Sequence, residues 1–303
     1  MHQLWSPVTI GLNPSSGWLD DWMERFLTRL NPVLLFVIFQ FLLISLALRL
    51  NFLLDRLRLF PSSTYLPALT LVLLSGLFPT WCSLSPALFS GHLLLWIFSR
   101  ICDLPQITPT ASALLNNGLL MGVAVLCYHP LLMLAIASLP AMGMVKRFRI
   151  NEYLIFLLGF FIPYYFLFAL TFLSDNLPAF FDQLPEFTPG WPMGVPDEWG
   201  ITSLVLLFIG LFLGLVYWQR FNGRLLMQIR TYWSILLVFI VFLSPAPFLM
   251  SRNGLSVLWL LTIPLSAFFS SAFSVPRRLL LPNLLFWLLI AQLVIHNWIL
   301  MKK

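Results

Sequence analysis

The sequence predicts an all-α integral membrane protein of about ten transmembrane helices, with an amphipathic helix at its N-terminus lying in the membrane interface. Three observations predict it. Hydrophobic residues make up 60% of the 303 residues and charged ones 9%, against roughly a quarter charged in an ordinary soluble domain. Apolar runs of about 17 or more residues recur along the chain, the length a helix needs to cross a bilayer core of ~30 Å. Finally, the basic residues flank these runs instead of forming a stripe, which argues against a nucleic-acid partner despite a net charge of +6.

Residues 1–31 form a tail containing "SSGWLDDWMERFLTRL" (Ser15 to Leu30). Trp18, Leu19, Trp22, Met23, Phe26, Leu27 and Leu30 recur at spacings of three and four, which gathers them on one helical face. Ser16 suits the N-cap, Asp20 and Asp21 the first turns, and Arg25 and Arg29 the end, all favourable to the helix dipole. Asn31-Pro32 then breaks the chain. An aromatic-rich helix of this kind lies along a membrane surface. Asp20, Asp21 and Glu24 on it are candidate catalytic groups, as a general base or cation ligand facing an outer-leaflet cavity. The acids and the lack of an apolar h-region make a cleavable signal peptide unexpected.

Residues 32–303 form a single membrane domain. Its expected spans are 33–50, 65–81, 85–101, 111–127, 130–145, 153–173, 201–218, 232–249, 255–273 and 283–300. The pair around Tyr128-His129-Pro130 reads as a tight hairpin, two full spans or one re-entrant loop. Alternating sides from Lys146-Arg147-Phe148-Arg149 tests the count. One side then carries twelve basic residues (Arg49, Arg56, Arg58, Arg100, Lys146, Arg147, Arg149, Arg220, Arg224, Arg230, Arg277, Arg278) and three acids (Asp55, Asp103, Glu152). The other carries the remaining five basic residues and eight acids. By the positive-inside bias the first side is cytoplasmic, and both termini and the 174–200 loop are outside.

That loop, "SDNLPAFFDQLPEFTPGWPMGVPDEWGI" to Ile201, holds five of the eleven acids. "LPAFFDQL" reads as a short interfacial turn with Phe180, Phe181 and Leu184 toward the headgroups. "PEFTPGWPMGVP" cannot be helical, because its prolines interrupt the backbone ladder. Its expected role is a rigid cover over the outer mouth of the bundle. Asp182, Glu186, Trp191, Asp197, Glu198 and Trp199 are candidate ligand- or partner-binding residues, with Phe187, Trp191 and Trp199 able to stack on a sugar. Lys146, Arg147, Arg149, Arg277 and Arg278 are candidate contacts for lipid phosphates.

Inside the spans, ionisable groups are scarce, and no span carries Asp or Glu near its centre, which disfavours carboxylate-coupled transport. Pro163, "SPAPF" (Ser244 to Phe248) and Pro264 are possible helix breaks. Gly118 and Gly122 have a spacing that lets helices approach closely, and Gln40, Gln292 and Asn297 read as interhelical hydrogen-bond formers. Cys82, Cys102 and Cys127 read as buried small hydrophobes. No metal or other cofactor is expected: HExxH, DxD, GxSxG and GxxxxGK[ST] are all missing, and the last of these excludes ATP-driven transport by this chain alone.

The segment "GLFPTWCSLSPALFSGHLLLWIFSRI" and the run from "LLNNGLLMGVAVLCYHPLLML" through "KRFRINEYLIFLLGFFIPYYF" resemble an uncharacterised family of integral membrane proteins of Bacteroidota. The likeness covers residues 76–175. It implies a bacterial inner membrane and hence a periplasmic outer side. The "NNGLLMGVAVL…P" hairpin also looks loosely like segments of polytopic glycosyltransferases that use polyprenyl-phosphate sugars. Those enzymes keep an acid after their first span, whereas here the acids precede it. Three functions are consistent with these features. The first is a non-catalytic membrane subunit of a cell-envelope complex, binding other envelope proteins. The second is an enzyme, glycosyltransferase-like, or accessory factor of polyprenyl-linked glycan or lipid assembly at the periplasmic leaflet. The third is a small-molecule transporter.

Overall fold

A computed structural model of the chain describes residues 17–27, 29–108, 110–146, 149–192, 198–223, 225–274 and 280–301, with backbone alone at 253 and 296–301. Helices dominate it. In chain order they are α1 (Trp18–Leu27), α2 (Pro32–Arg56), α3 (Leu66–Ser75), α4 (Pro86–Asp103), α5 (Thr110–Cys127), α6 (Leu132–Val145), α7 (Ile150–Leu173), α8 (Leu177–Asp182), α9 (Glu198–Asn222), α10 (Met227–Leu243), α11 (Ala246–Leu249), α12 (Thr262–Ser274) and α13 (Leu280–Met301). Among the described residues, seven helical segments are long and apolar enough to cross a membrane: Pro32–Arg56, Pro86–Gln106, Thr110–Cys127, Ile150–Leu173, Glu198–Asn222, Met227–Leu249 and Gly254–Ser274. Three apolar helices are shorter: Leu66–Ser75, Leu131–Val145 and Leu280–Ile295.

The shortest of these corrects the expected span 65–81. At 1.5 Å per residue, α3 rises only about 15 Å. It stops at Gly76, where a Cβ would lie 2.7 Å from Leu293 Cδ1 of α13, and the chain turns into a 3-10 helix at Pro79–Cys82. The 111–145 segment forms two separate helices, α5 and α6, joined through Tyr128 and the 3-10 turn His129–Leu131. Pro163 does not break α7, which is continuous from Ile150 to Leu173. "SPAPF" does end α10, and from there the chain runs as α11 and a 3-10 helix, Ser251–Leu261, that feeds α12. Gly254 sits within that 3-10 stretch at φ 59°, ψ −153°, a conformation essentially reserved for glycine.

Local chemistry sets several ends. Asn31 accepts a hydrogen bond from the Val33 N–H at 3.1 Å, and Pro32 opens α2. Two helices end in left-handed residues, Arg58 (φ 54°) and Asp175 (φ 51°). In each case paired bonds recapture the last carbonyls: Leu59 N–H to Leu54 and Arg58 N–H to Asp55, then Asn176 N–H to Thr171 and Asp175 N–H to Phe172. At the start of α7, the Glu152 carboxylate accepts from the Arg149 N–H at 2.8 Å.

α12 is the hub of the bundle. Every residue from Thr262 to Ala272 is buried, and α3, α9 and α10 pack around it. Its hydroxyls bind neighbours: Ser270 Oγ lies 2.9 Å from Thr70 Oγ1, which also donates to the Ser266 carbonyl, while Ser271 Oγ donates to the Gly214 carbonyl at 2.9 Å. α13 is held to α9 through Gln292, whose amide donates to the Trp199 carbonyl at 2.8 Å and to Ser203 Oγ at 3.1 Å. That is the interhelical role its isolation suggested; Asn297 lies outside the described side chains.

The expected glycine contact also forms. A Cβ on Gly118 or Gly122 of α5 would run into the Phe156 or Phe160 carbonyl of α7, and one on Gly159 would meet the Leu115 carbonyl. Backbone thus touches backbone along the α5–α7 seam. The three cysteines are free thiols.

Charges separate between the two ends of the bundle. At one end Arg56 pairs with Asp103 at 3.1 Å, and Lys146 Nζ donates to Thr110 Oγ1 at 3.2 Å. At the other, Gln183 Nε2 donates to Asp21 Oδ2 at 3.3 Å, so α1 and the 177–183 turn share the acid-rich end.

Candidate functional site

At that acid-rich end α9 and α10 both pack on α12. Between them lies a cavity of about 590 Å³, in the size range of small-molecule sites. α9 contributes Ile201, Leu204, Leu207, Phe208 and Leu211; α10 contributes Ile240, Val241 and, at its C-cap, Ser244. The floor and back wall come from Pro247 and Phe248 of α11, from Leu255, Leu258 and Leu261 of the 3-10 helix, and from Leu265 of α12. Three residues per turn put Leu255, Leu258 and Leu261 in one row along this stretch. Trp81 closes one corner and is fixed by its Nε1–H, which donates to the Leu255 carbonyl at 3.1 Å. Among the described residues, Ser244 is the one hydroxyl in the lining.

The cavity reaches the surface sideways. Phe208 is 70% and Val241 57% exposed although both line it. These residues sit on two helices long and apolar enough to cross a membrane.

Its outer edge is roofed by the acidic loop, which behaves here as a fastened strap. Thr188 N–H donates to the Leu249 carbonyl, Gly190 N–H to Phe248, and Ser251 N–H and Oγ both donate to the Thr188 carbonyl, at 2.6 to 3.1 Å. Arg252 Nη1 donates to Glu186 Oε2 at 2.7 Å, with both side chains 55% exposed. Trp191, 84% exposed, meets Phe248 edge to face at 5.9 Å and, with Pro192, forms the rim. Glu186 and Trp191 are therefore neighbours in one structure. The other candidates of this group are not: Asp182 is exposed on α8, Glu198 is exposed at the start of α9, and Trp199 is half-buried with its carbonyl on Gln292. Asp197 lies outside the described residues.

The leader differs from its sequence reading in one respect. Its inner face carries Asp20, Met23 and Leu27, whereas Trp18 and Phe26 point outward. The reason is Gly17, at φ 135°, whose missing Cβ would lie 2.6 Å from the Cys127 carbonyl. That contact seats the helix start directly on the end of α5 and rolls Asp20 beneath it. Burial first, and the Asp20 charge second, push the Tyr128 phenol beside it well above its usual pKa. Asp21 faces Gln183 and Glu24 is exposed, so the three acids do not converge on one point. Ser16 lies outside the described residues.

Of the basic candidates, Lys146 lies against Thr110 and Arg149 caps α7, both exposed at the end opposite the cavity. Arg147, Arg277 and Arg278 lie outside the described residues. Among the described residues no group of three or more His, Cys, Asp or Glu could hold a metal ion.

Sequence reasoning missed the cavity, and it counted Arg252 only as a charge. The Leu255, Leu258, Leu261 spacing after a Pro-broken helix was the one available signal. Comparison with family models, curated proteins and solved structures finds no match to this chain. The likeness of residues 76–175 to a Bacteroidota family thus stands on those motifs alone.

Proposed function

We propose that this chain is a multi-pass protein of a bacterial inner membrane that binds the apolar chain of a lipid at the periplasmic leaflet, as an accessory factor in lipid or lipid-linked envelope assembly. The observation that carries this reading is the 590 Å³ apolar cavity with its side opening between α9 and α10. A lipid chain can enter such a space from the bilayer without crossing water, and among the described residues the lining it meets is almost wholly apolar. The alternation of charge holds if the chain changes sides at each of the ten apolar stretches, with α3 passing only part of the bilayer thickness, and the positive-inside bias then favours Arg56, Lys146 and Arg149 in the cytoplasm and the strap outside.

The test is mass spectrometry of the intact protein released from mild detergent, for the wild type and for Leu207→Trp, which fills the cavity. Lipid retained by the wild type and lost by the variant supports the reading. A lipid-free wild type overturns it.

A second reading, a subunit that docks other envelope proteins, is favoured by α7. Only 11% of its most apolar window is buried, and Phe161, Tyr165, Phe166, Phe168 and Phe172 all face outward. A photo-crosslinker at Phe161 or Phe168 that captures one protein repeatedly in cells supports it; adducts with lipid alone sink it.

A further inference from the structure

We infer that the mouth of the cavity selects a zwitterionic phospholipid head, a phosphate joined to a primary ammonium, with Arg252 taking the phosphate and Glu186 the ammonium. This rests on the reading of the cavity as a lipid-chain site and names the class of lipid.

Arg252 directly follows Ser251, whose side chain holds the strap at Thr188, and it lies two residues before the kink at Gly254, beyond which Leu255 and Leu258 line the cavity. A chain lying on those leucines and leaving past Trp191 would carry its head toward the strap, where Arg252 and Glu186 pair outside the cavity lining. That pair spends one guanidinium nitrogen on one carboxylate oxygen, and both side chains are 55% exposed. The guanidinium fork has five N–H donors and the carboxylate a second oxygen, so each can take a further partner. A phosphate suits the fork, which binds it in bidentate fashion.

The surroundings decide the other half of the head. Glu186 stands against Arg252 at 2.7 Å, and a head bearing only negative charge would be repelled by its carboxylate. A head whose cation lies one two-carbon bridge from its phosphate matches an adjacent guanidinium and carboxylate. A primary ammonium donates hydrogen bonds to Glu186, whereas a quaternary one has no N–H to give.

The test uses the full-length protein, stripped of lipid by exchange in mild detergent. Phospholipids with brominated chains and ethanolamine, glycerol or choline heads are titrated in. Tryptophan quenching is read as the difference from Trp191→Phe, which isolates the rim. A brominated long-chain alcohol reports chain binding without the head. The ethanolamine lipid is expected to quench at the lowest concentration, with the glycerol lipid needing about fivefold more, the upper range for an exposed charge pair. Glu186→Gln should bring these two together to within about twofold, Arg252→Gln should weaken all three phospholipids by about fivefold, and neither should move the alcohol.

Equal titration by the three heads, stronger binding of choline, or curves unmoved by both substitutions overturn the head assignment while leaving the chain site standing. A shift of the alcohol curve equal to that of the phospholipids assigns the pair to holding the strap and also overturns it. No Trp191-dependent quenching by any brominated chain, alcohol included, overturns the chain reading itself.

Discussion

The seam between α5 and α7 and the gap between α9 and α10 are built from the same material and end differently. All four helices are apolar, and two of them carry a pair of glycines four apart, Gly118 and Gly122 in α5, Gly210 and Gly214 in α9. In the first case the partner has its own notch, Gly159, facing back, so backbones meet and no space remains. In the second, the partner on the glycine side is α12, whose Phe269 ring and Phe268 backbone fill the notches. α9 thereby packs closely on α12, and the cavity lies between α9 and α10.

The largest effect should come from breaking the closed seam. Gly118→Leu forces a branched side chain into the Phe156 backbone and should cost about 3 kcal/mol, seen as loss of the monodisperse peak on size exclusion and a large drop in thermal midpoint. Gly122→Leu should behave alike. If α7 were held mainly by lipid and not by this contact, both variants would fold normally.

Next comes the element that backs the cavity. Gly254→Ala places a methyl group where φ is 59° and ψ −153°, at a cost of about 1–3 kcal/mol. Because Leu255 and Leu258 follow directly, retained lipid should fall along with thermal stability. A variant as stable as the wild type would mean that the strained turn is not needed.

Filling the open gap should do the opposite of filling the closed one. Leu207→Trp enters existing space, so its thermal midpoint should correspond to within about 1 kcal/mol of the wild type, while bound lipid disappears. A destabilisation like that of Gly118→Leu would show that the space is not there in the folded protein. The smallest effect is expected at Gln292→Leu, which removes the bonds holding the outer end of α9 to α13. Interhelical hydrogen bonds of this kind average about 0.6 kcal/mol. Its sharper readout is Trp191 quenching, since α9 freed at Trp199 and Ser203 should settle toward α10 and narrow the mouth.

Much of the bundle was legible beforehand. Each of the ten apolar stretches holds an apolar helix, because hydrophobic runs punctuated by charge and proline leave the backbone no other way to satisfy its hydrogen bonds in a bilayer. The Gly118-xxx-Gly122 spacing, the bonding role of Gln292 and the break at "SPAPF" were equally readable, since each is a local chemical fact. The short α3 was less so: Gly76 and Pro79 are visible in the sequence, but that Leu293 would sit against Gly76 is not.

The sequence by itself determined the class, the helices and their order, and the separation of charge between the two ends. Which face of each helix turns inward was decided only by the tertiary structure. In α2, Leu35, Phe39, Leu43, Leu46 and Leu50 are buried, whereas Val33, Val37, Phe41, Ile44 and Leu48 are exposed. The two stripes are chemically alike, because a bilayer rewards an apolar outer face as much as packing rewards an apolar inner one. With no polar side to orient the helices, their rotation is set by steric fit between particular residues far apart in the chain. That is why the burial of Asp20, the packing of α9 on Phe268 and Phe269, the cavity, and the pairing of Glu186 with Arg252 had no signature along the chain.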